Sequence, residues 1–292
     1  MEPTSATKGG HNLVKVCIID TGISPKDKCS KKVKGFKDFV IPDNRQLCDE
    51  TWHGTQCASI VLSIYEPCEL YVARVFRTDE ATDEMGSILV AQAIRWAIDP
   101  EQNVDIINIS AGFQHHCPDL RKAVQEASCK DKLIFAAAGN WANEGPVAFP
   151  ARYKQHTMCI FSTTVHSQNS QYNPERNPLS HNFAFLGEDW QHRAKADERM
   201  SGTSMATAAA SGLAALILDF SRHADNQTIW RVEEVNTLSG MTAIFKSMAR
   251  PAGNLKYVDP KKLLPMGYRL MSDAAVRDHI RARVTAAMED VE

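Results

Sequence analysis

Residues Gly202 to Phe220 read GTSMATAAASGLAALILDF, and the reading of this stretch decides the fold. At helical spacing it is apolar or small nearly all the way round, and a helix without a polar face belongs in an interior. Ala206 to Ala210 and Gly212 are small enough to let neighbouring backbones approach closely, so the helix is expected to lie against other elements along its length. Outward from it, Val14–Ile19, Glu69–Val75, Val104–Ile109, Leu133–Ala138 and Thr157–Phe161 are short, mostly apolar runs, several of them rich in β-branched residues. They read as strands covered on both faces. Helical spacing over His53–Tyr65, Met85–Ile98 and Pro118–Cys129 fills the gaps between them. Strand and helix alternating at these lengths predict an α/β fold of three layers, α/β/α, with a mostly parallel central sheet.

Beyond the buried helix, Gln227–Leu238 and Met241–Met248 are expected helices, and Arg250-Pro-Ala-Gly253 is a breaker. From Ser272 to Val291 good helix formers place Ala275, Val276, Ile280, Val284 and Met288 on one face, which must dock or lead into a further domain. The expected organisation is an N-terminal tail over 1–12, one domain over 13–264 and a C-terminal helix or linker over 265–292.

Composition narrows the function classes. A chain of 292 residues, 43% hydrophobic, can bury a sizeable core. Its formal charge of -2 gives no overall attraction to phosphate. The lysine-rich run from Lys26 to Lys37 reads as a solvated, loop-rich surface, so neither a nucleic acid nor a membrane is an expected partner. No run of about 18 consecutive apolar residues occurs, and Met1–Gly10 has no charged-then-apolar leader. Eight cysteines permit disulfides, yet Cys17 and Cys159 sit in apolar runs and Cys57 in a helical pattern, as free thiols do. An intracellular, cytoplasmic protein is expected, the alternative being a secreted one whose signal and prodomain lie outside the chain. His115, His116 and Cys117 lack a second ligand pair at zinc spacing and read as a polar loop; no metal ligand is assigned.

Chemistry concentrates at the carboxyl edge of the expected sheet, where open α/β sheets bind ligands. Asp20 ends the first strand in Asp20-Thr-Gly22, His53 opens a helix in His53-Gly-Thr-Gln-Cys-Ala58, and Ser204 opens the buried helix in Ser201-Gly-Thr-Ser-Met-Ala-Thr207. Taken singly they read as a turn former, a surface imidazole and an N-cap. The three together, in the order Asp, His, Ser, resemble the subtilisin-like serine peptidases.

The resemblance extends over Leu13–Leu264 and implies a subtilisin-like fold and a catalytic triad of Asp20, His53 and Ser204. It implies that Asn140, in Ala136-Ala-Ala-Gly-Asn140, completes an oxyanion hole with the backbone N–H of Ser204. Ser110, Ala111 and Gly112 would take the substrate backbone and, with Ala137, Ala138 and Gly139, wall a first specificity pocket with Ala148 near its base. These walls are small and uncharged, so apolar or aromatic P1 residues of a protein or peptide substrate are expected. Cys57 resembles the thiol that one branch of the family places beneath the histidine, whereas Ala208 stands where members usually have proline. The segments Asn173–Glu188 and Val258–Leu264 are similar to fungal intracellular subtilase domains of larger proteins, which makes further domains candidate partners. No cofactor is needed for this chemistry, and calcium binding is not readable. The competing class is a catalytically silent scaffold that binds a partner protein; a receiver-type phosphoryl-transfer domain lacks the further carboxylates it needs after Asp20.

Overall fold

The computed structural model describes residues 11–78, 83–176 and 180–291. The tail expected over 1–12 therefore lies, up to residue 10, outside the described residues, as do residues 177–179 of the Asn173–Glu188 segment. In chain order the elements are β1 (Lys15–Asp20), β2 (Val33–Asp38), α1 (His53–Ile64), β3 (Glu69–Arg74), α2 (Asp83–Ala97), β4 (Ile106–Ile109), α3 (Pro118–Ser128) and β5 (Leu133–Ala137). There follow β6 (Met158–Thr163), β7 (Phe183–Leu186), β8 (Trp190–Gln191), β9 (Arg199–Met200), α4 (Thr203–Arg222), α5 (Leu238–Met248), β10 (Ala249–Ala252), β11 (Leu255–Val258) and α6 (Asp273–Glu289).

Nine strands form one sheet in the order β10-β11-β7-β6-β5-β4-β1-β3-β2, with β10–β11 its antiparallel pair. The strand runs are continuously apolar because both faces are covered. Val16 and Ile18 of β1 pack on the side of α1, α4, α5 and α6, while Cys17 and Ile19 pack on the side of α2 and α3. The three-layer α/β/α architecture with a mostly parallel central sheet is what results. Helix α4 has the length and composition to cross a membrane, but here most of it is buried in the core between α1 and β4–β7. Ala208 lies inside α4 without interrupting it.

Several local expectations are corrected. Gln227–Leu238 is not a helix: after a 3-10 turn at Ala224–Asn226 it holds only a further short one at Val232–Glu234, because Arg231 adopts a left-handed φ of 52° that no α-helix accommodates. Thr237 then starts α5, its hydroxyl accepting from the Gly240 N–H. The breaker at Arg250–Gly253 is the edge hairpin β10–β11, with Pro251 on the edge strand where a missing donor is tolerated. Part of the lysine run is likewise an edge strand, β2, whose exposed Lys34 and Lys37 discourage pairing with another chain. The C-terminal helix docks through its second half: Val284, Ala287 and Met288 join the core beside α5.

Candidate active site

Asp20 closes β1 with its side chain 2% exposed, and Oδ1 lies 2.7 Å from His53 Nδ1. The same oxygen accepts the Thr21 N–H at 2.7 Å. This pairing fixes the imidazole with its proton on Nδ1, leaving Nε2 as the basic nitrogen. The approach requires Gly54: a Cβ there would lie 2.3 Å from the Gly22 carbonyl oxygen and 3.2 Å from Asp20 Cβ. Helix α1 therefore starts hard against the end of β1 only because its second residue has no side chain.

Sequence reading missed Asp49, a buried carboxylate that holds this junction together. Its Oδ1 accepts from Thr21 Oγ1 at 2.9 Å and from the Trp52 N–H at 2.9 Å. Its Oδ2 accepts from the Thr55 N–H at 2.8 Å and from Thr55 Oγ1 at 2.6 Å. Thr21 Oγ1 in turn accepts the Gly54 N–H at 2.9 Å. One side chain thus satisfies the orphan donors of the α1 N-terminus and ties them to the loop after Asp20. The available signal was a lone Asp four residues before the histidine, in a stretch with no strand or helix pattern.

Ser204 is the second residue of α4, in the turn where backbone N–H groups point out of the helix. Its hydroxyl donates to the Ser110 carbonyl at 3.2 Å. Asn140 reaches the same place from the loop after β5. Its Oδ1 accepts from the Thr203 N–H at 2.8 Å and from Thr203 Oγ1 at 3.0 Å, which fixes the amide so that Nδ2 is the group left to donate. Gly202 makes room for it: at φ 145°, a Cβ there would meet Asn140 Nδ2 at 2.8 Å.

His53, Ser204 and Asn140 line one cleft of about 760 Å³. Ser110, Ala111, Gly112, Ala137 and Gly139 line it as well. Ala138 and Ala148 do not: both are fully buried, and the Ala148 N–H donates to the Ala138 carbonyl at 2.8 Å behind the cleft. Strand alternation explains this, since Ala137 faces out where Ala138 faces in. Phe113, Trp141, Arg199 and Met200 also line it and were not anticipated, because loops and the two-residue strand β9 carry no periodic signal. Cys57 lies beneath the pair, its thiol sulfur, a His53 ring nitrogen and an Asp20 carboxylate oxygen all within 4.8 Å of one another. Burial first, and then the Asp20 charge, hold that thiol well above its usual pKa.

A mostly parallel sheet with a carboxylate–imidazole pair and a helix-borne hydroxyl at one edge is an arrangement found in serine hydrolases, and the family match places the chain among the serine-type endopeptidases, a class of hydrolases. Within it the chain belongs to the subtilase family, Peptidase S8, whose model matches residues 11–268. It is similar to the subtilisin-like protease het-Q2 of Podospora anserina, 28% identical over 83% of this chain and 71% of the relative. It is also similar to a thermostable alkaline protease of Halalkalibacterium halodurans, 27% identical over 80% of this chain and 65% of that one. Against other bacterial alkaline proteases it spans little more than half of their length, 54% of alkaline elastase YaB for example. Among solved structures, a cold-adapted subtilisin-like serine proteinase shares the fold at a TM-score of 0.66 and 22% identity, covering 84% of this chain and 88% of the other.

Proposed function

We propose that the chain cleaves peptide bonds through a triad of Asp20, His53 and Ser204 and an acyl-enzyme on Ser204. The single observation that supports this most is the 2.7 Å contact of Asp20 with His53 beside a cleft that also holds the Ser204 hydroxyl. On substrate binding, the Ser204 hydroxyl leaves the Ser110 carbonyl and turns to His53 Nε2, which takes its proton as Oγ attacks the scissile carbonyl. Asp20 stabilises the resulting imidazolium, and His53 then returns the proton to the leaving amine. Negative charge on the carbonyl oxygen is met by the Ser204 N–H, by Asn140 Nδ2 and by the positive end of α4.

Ser110 to Gly112, just past the end of β4, line the cleft where the substrate backbone would pair. The small, uncharged walls Ala111, Gly112, Ala137 and Gly139 favour an apolar or aromatic P1 side chain. No cofactor enters these steps. A reducing, intracellular location, cytoplasmic in the first instance, is part of the proposal: Cys17, Cys57, Cys68 and Cys159 are buried as separate thiols. Attachment to further domains is proposed on the same footing. Labelling by a fluorophosphonate, which reacts only with an activated serine, tests the mechanism against the reading of a silent scaffold.

A further inference from the structure

The end of α4 remote from Ser204 carries a second group of functional side chains. Asp219 lies in the last turn and His223 is the residue that caps it, with His223 Nε2 3.6 Å from Asp219 Oδ2. His11, just before β1, brings Nε2 to 2.9 Å from Asp219 Oδ1. The two imidazoles meet edge to face with centroids 4.4 Å apart. One ligating atom from each of the three residues lies within 4.8 Å of the others. Behind them the hydroxyl of Tyr65, 1% exposed, donates to Asp219 Oδ1 at 2.9 Å and accepts the Val14 N–H at 3.3 Å. To one side, His11 alone of the three also borders an open cleft of about 560 Å³.

A plain polar knot needs only the His11 and Tyr65 contacts. Here both imidazoles also converge on the two oxygens of one carboxylate whose orientation a buried hydroxyl fixes, the outer-shell support that metal ligands receive. Two imidazole nitrogens and one carboxylate oxygen suit zinc and not calcium, which takes oxygen ligands. Tetrahedral zinc, with bonds of about 2.0–2.1 Å, needs its ligand atoms roughly 3.3 Å apart, a spacing this cluster reaches with small side-chain shifts.

We propose that His11, Asp219 and His223 form a zinc site, with water in the fourth position. At about 1.5 Å per residue the ion sits roughly 22 Å along α4 from Ser204. It therefore takes no part in peptide cleavage; it fastens the segment leading into β1 to the far end of the helix that carries the nucleophile.

The test uses untagged protein, stripped with a chelator and titrated calorimetrically with Zn²⁺, with melting curves in parallel. One zinc binds per chain, and at a hundredfold excess over Kd the Tm rises by about 4–5 °C. His11→Ala and His223→Ala each weaken binding by more than about 100-fold, and Tyr65→Phe by about 10–100-fold while keeping all three ligands. Cys129→Ser, which removes an exposed thiol, leaves binding unchanged. Absence of stoichiometric zinc, binding undiminished in His11→Ala and His223→Ala, or an equal Tm rise with Ca²⁺ overturns the proposal.

Discussion

The Thr203 N–H donates to Asn140 Oδ1 at 2.8 Å, and this bond leaves the NH₂ end of the Asn140 amide as the donor available at the cleft. In the proposed mechanism the oxygen is held by the residue preceding Ser204, so that the NH₂ group would meet the negative charge developing on the carbonyl oxygen. Preorganised donors of this kind act on the transition state more than on the bound substrate.

Asn140→Leu is therefore expected to lower kcat by roughly 10² to 10³ with little change in KM. Steady-state kinetics on a peptide with an aromatic P1 residue measure it. A rise in KM at constant kcat would place Asn140 in substrate binding instead.

Asp49 provides a test of positioning. Asp49→Ala leaves the Thr21 and Thr55 hydroxyls and the N–H groups of Trp52 and Thr55 without their acceptor. A loss of about 3 kcal/mol or more in urea unfolding is expected, since unsatisfied buried donors cost about 1–3 kcal/mol each. The fraction that still folds should show a reduced kcat, because Thr21 and Gly54 bracket the Asp20–His53 pair.

Cys57 should resist reagents that need a thiolate, since burial and the Asp20 charge keep it protonated. Iodoacetamide is expected to modify exposed Cys129 and leave peptidase activity intact. Mercurials, which bind thiols strongly, should inhibit by displacing His53, and Cys57→Ala should abolish that inhibition. Unchanged inhibition in the variant would assign the effect to another cysteine.

Arg74, at the end of β3 beside Asp20, has its side chain 1% exposed and pairs with Asp38 at 2.9 Å. Burial works to raise the Asp38 pKa. Hydrogen bonds from Asn44, the Ile41 N–H and Arg74, with the Arg74 charge, outweigh it and hold the carboxyl below its usual range. Asp38 therefore contributes stability above its unfolded value of about 3.9, and that contribution fades as pH falls through the lower folded value. Arg74→Met should cost about 3–5 kcal/mol near pH 7, with the gap from wild type shrinking below about pH 4. Urea unfolding at both pH values checks the direction.

The layers and the three short signatures were legible because they depend on local patterns. β1 is a doubly covered strand, α4 has no polar face, and Asp20, His53 and Ser204 each sit at an element end that their neighbours specify. Asp49 and Trp141 were not legible, since each acts from a loop, and Arg199 was not, since it lies on a two-residue strand too short to show a pattern. The turns around Arg231 defeated the helical pattern of Gln227–Leu238 because one left-handed residue outweighs good spacing. Ala138 was carried over as a pocket wall by resemblance, yet it is fully buried and turned away from the cleft; Ala148, expected near the pocket base, is buried directly behind Gly112, where a Cβ would lie 2.3 Å from Ala148 Cβ.

Fluorophosphonate labelling of wild type and Ser204→Ala, read by intact mass and beside a casein digest, tests the central claim most directly. One adduct on Ser204 is expected in the wild type, with none in the variant and casein cleavage reduced to a residue of its rate. Casein cleavage at full rate by purified Ser204→Ala, or no adduct on the folded wild type, would contradict it.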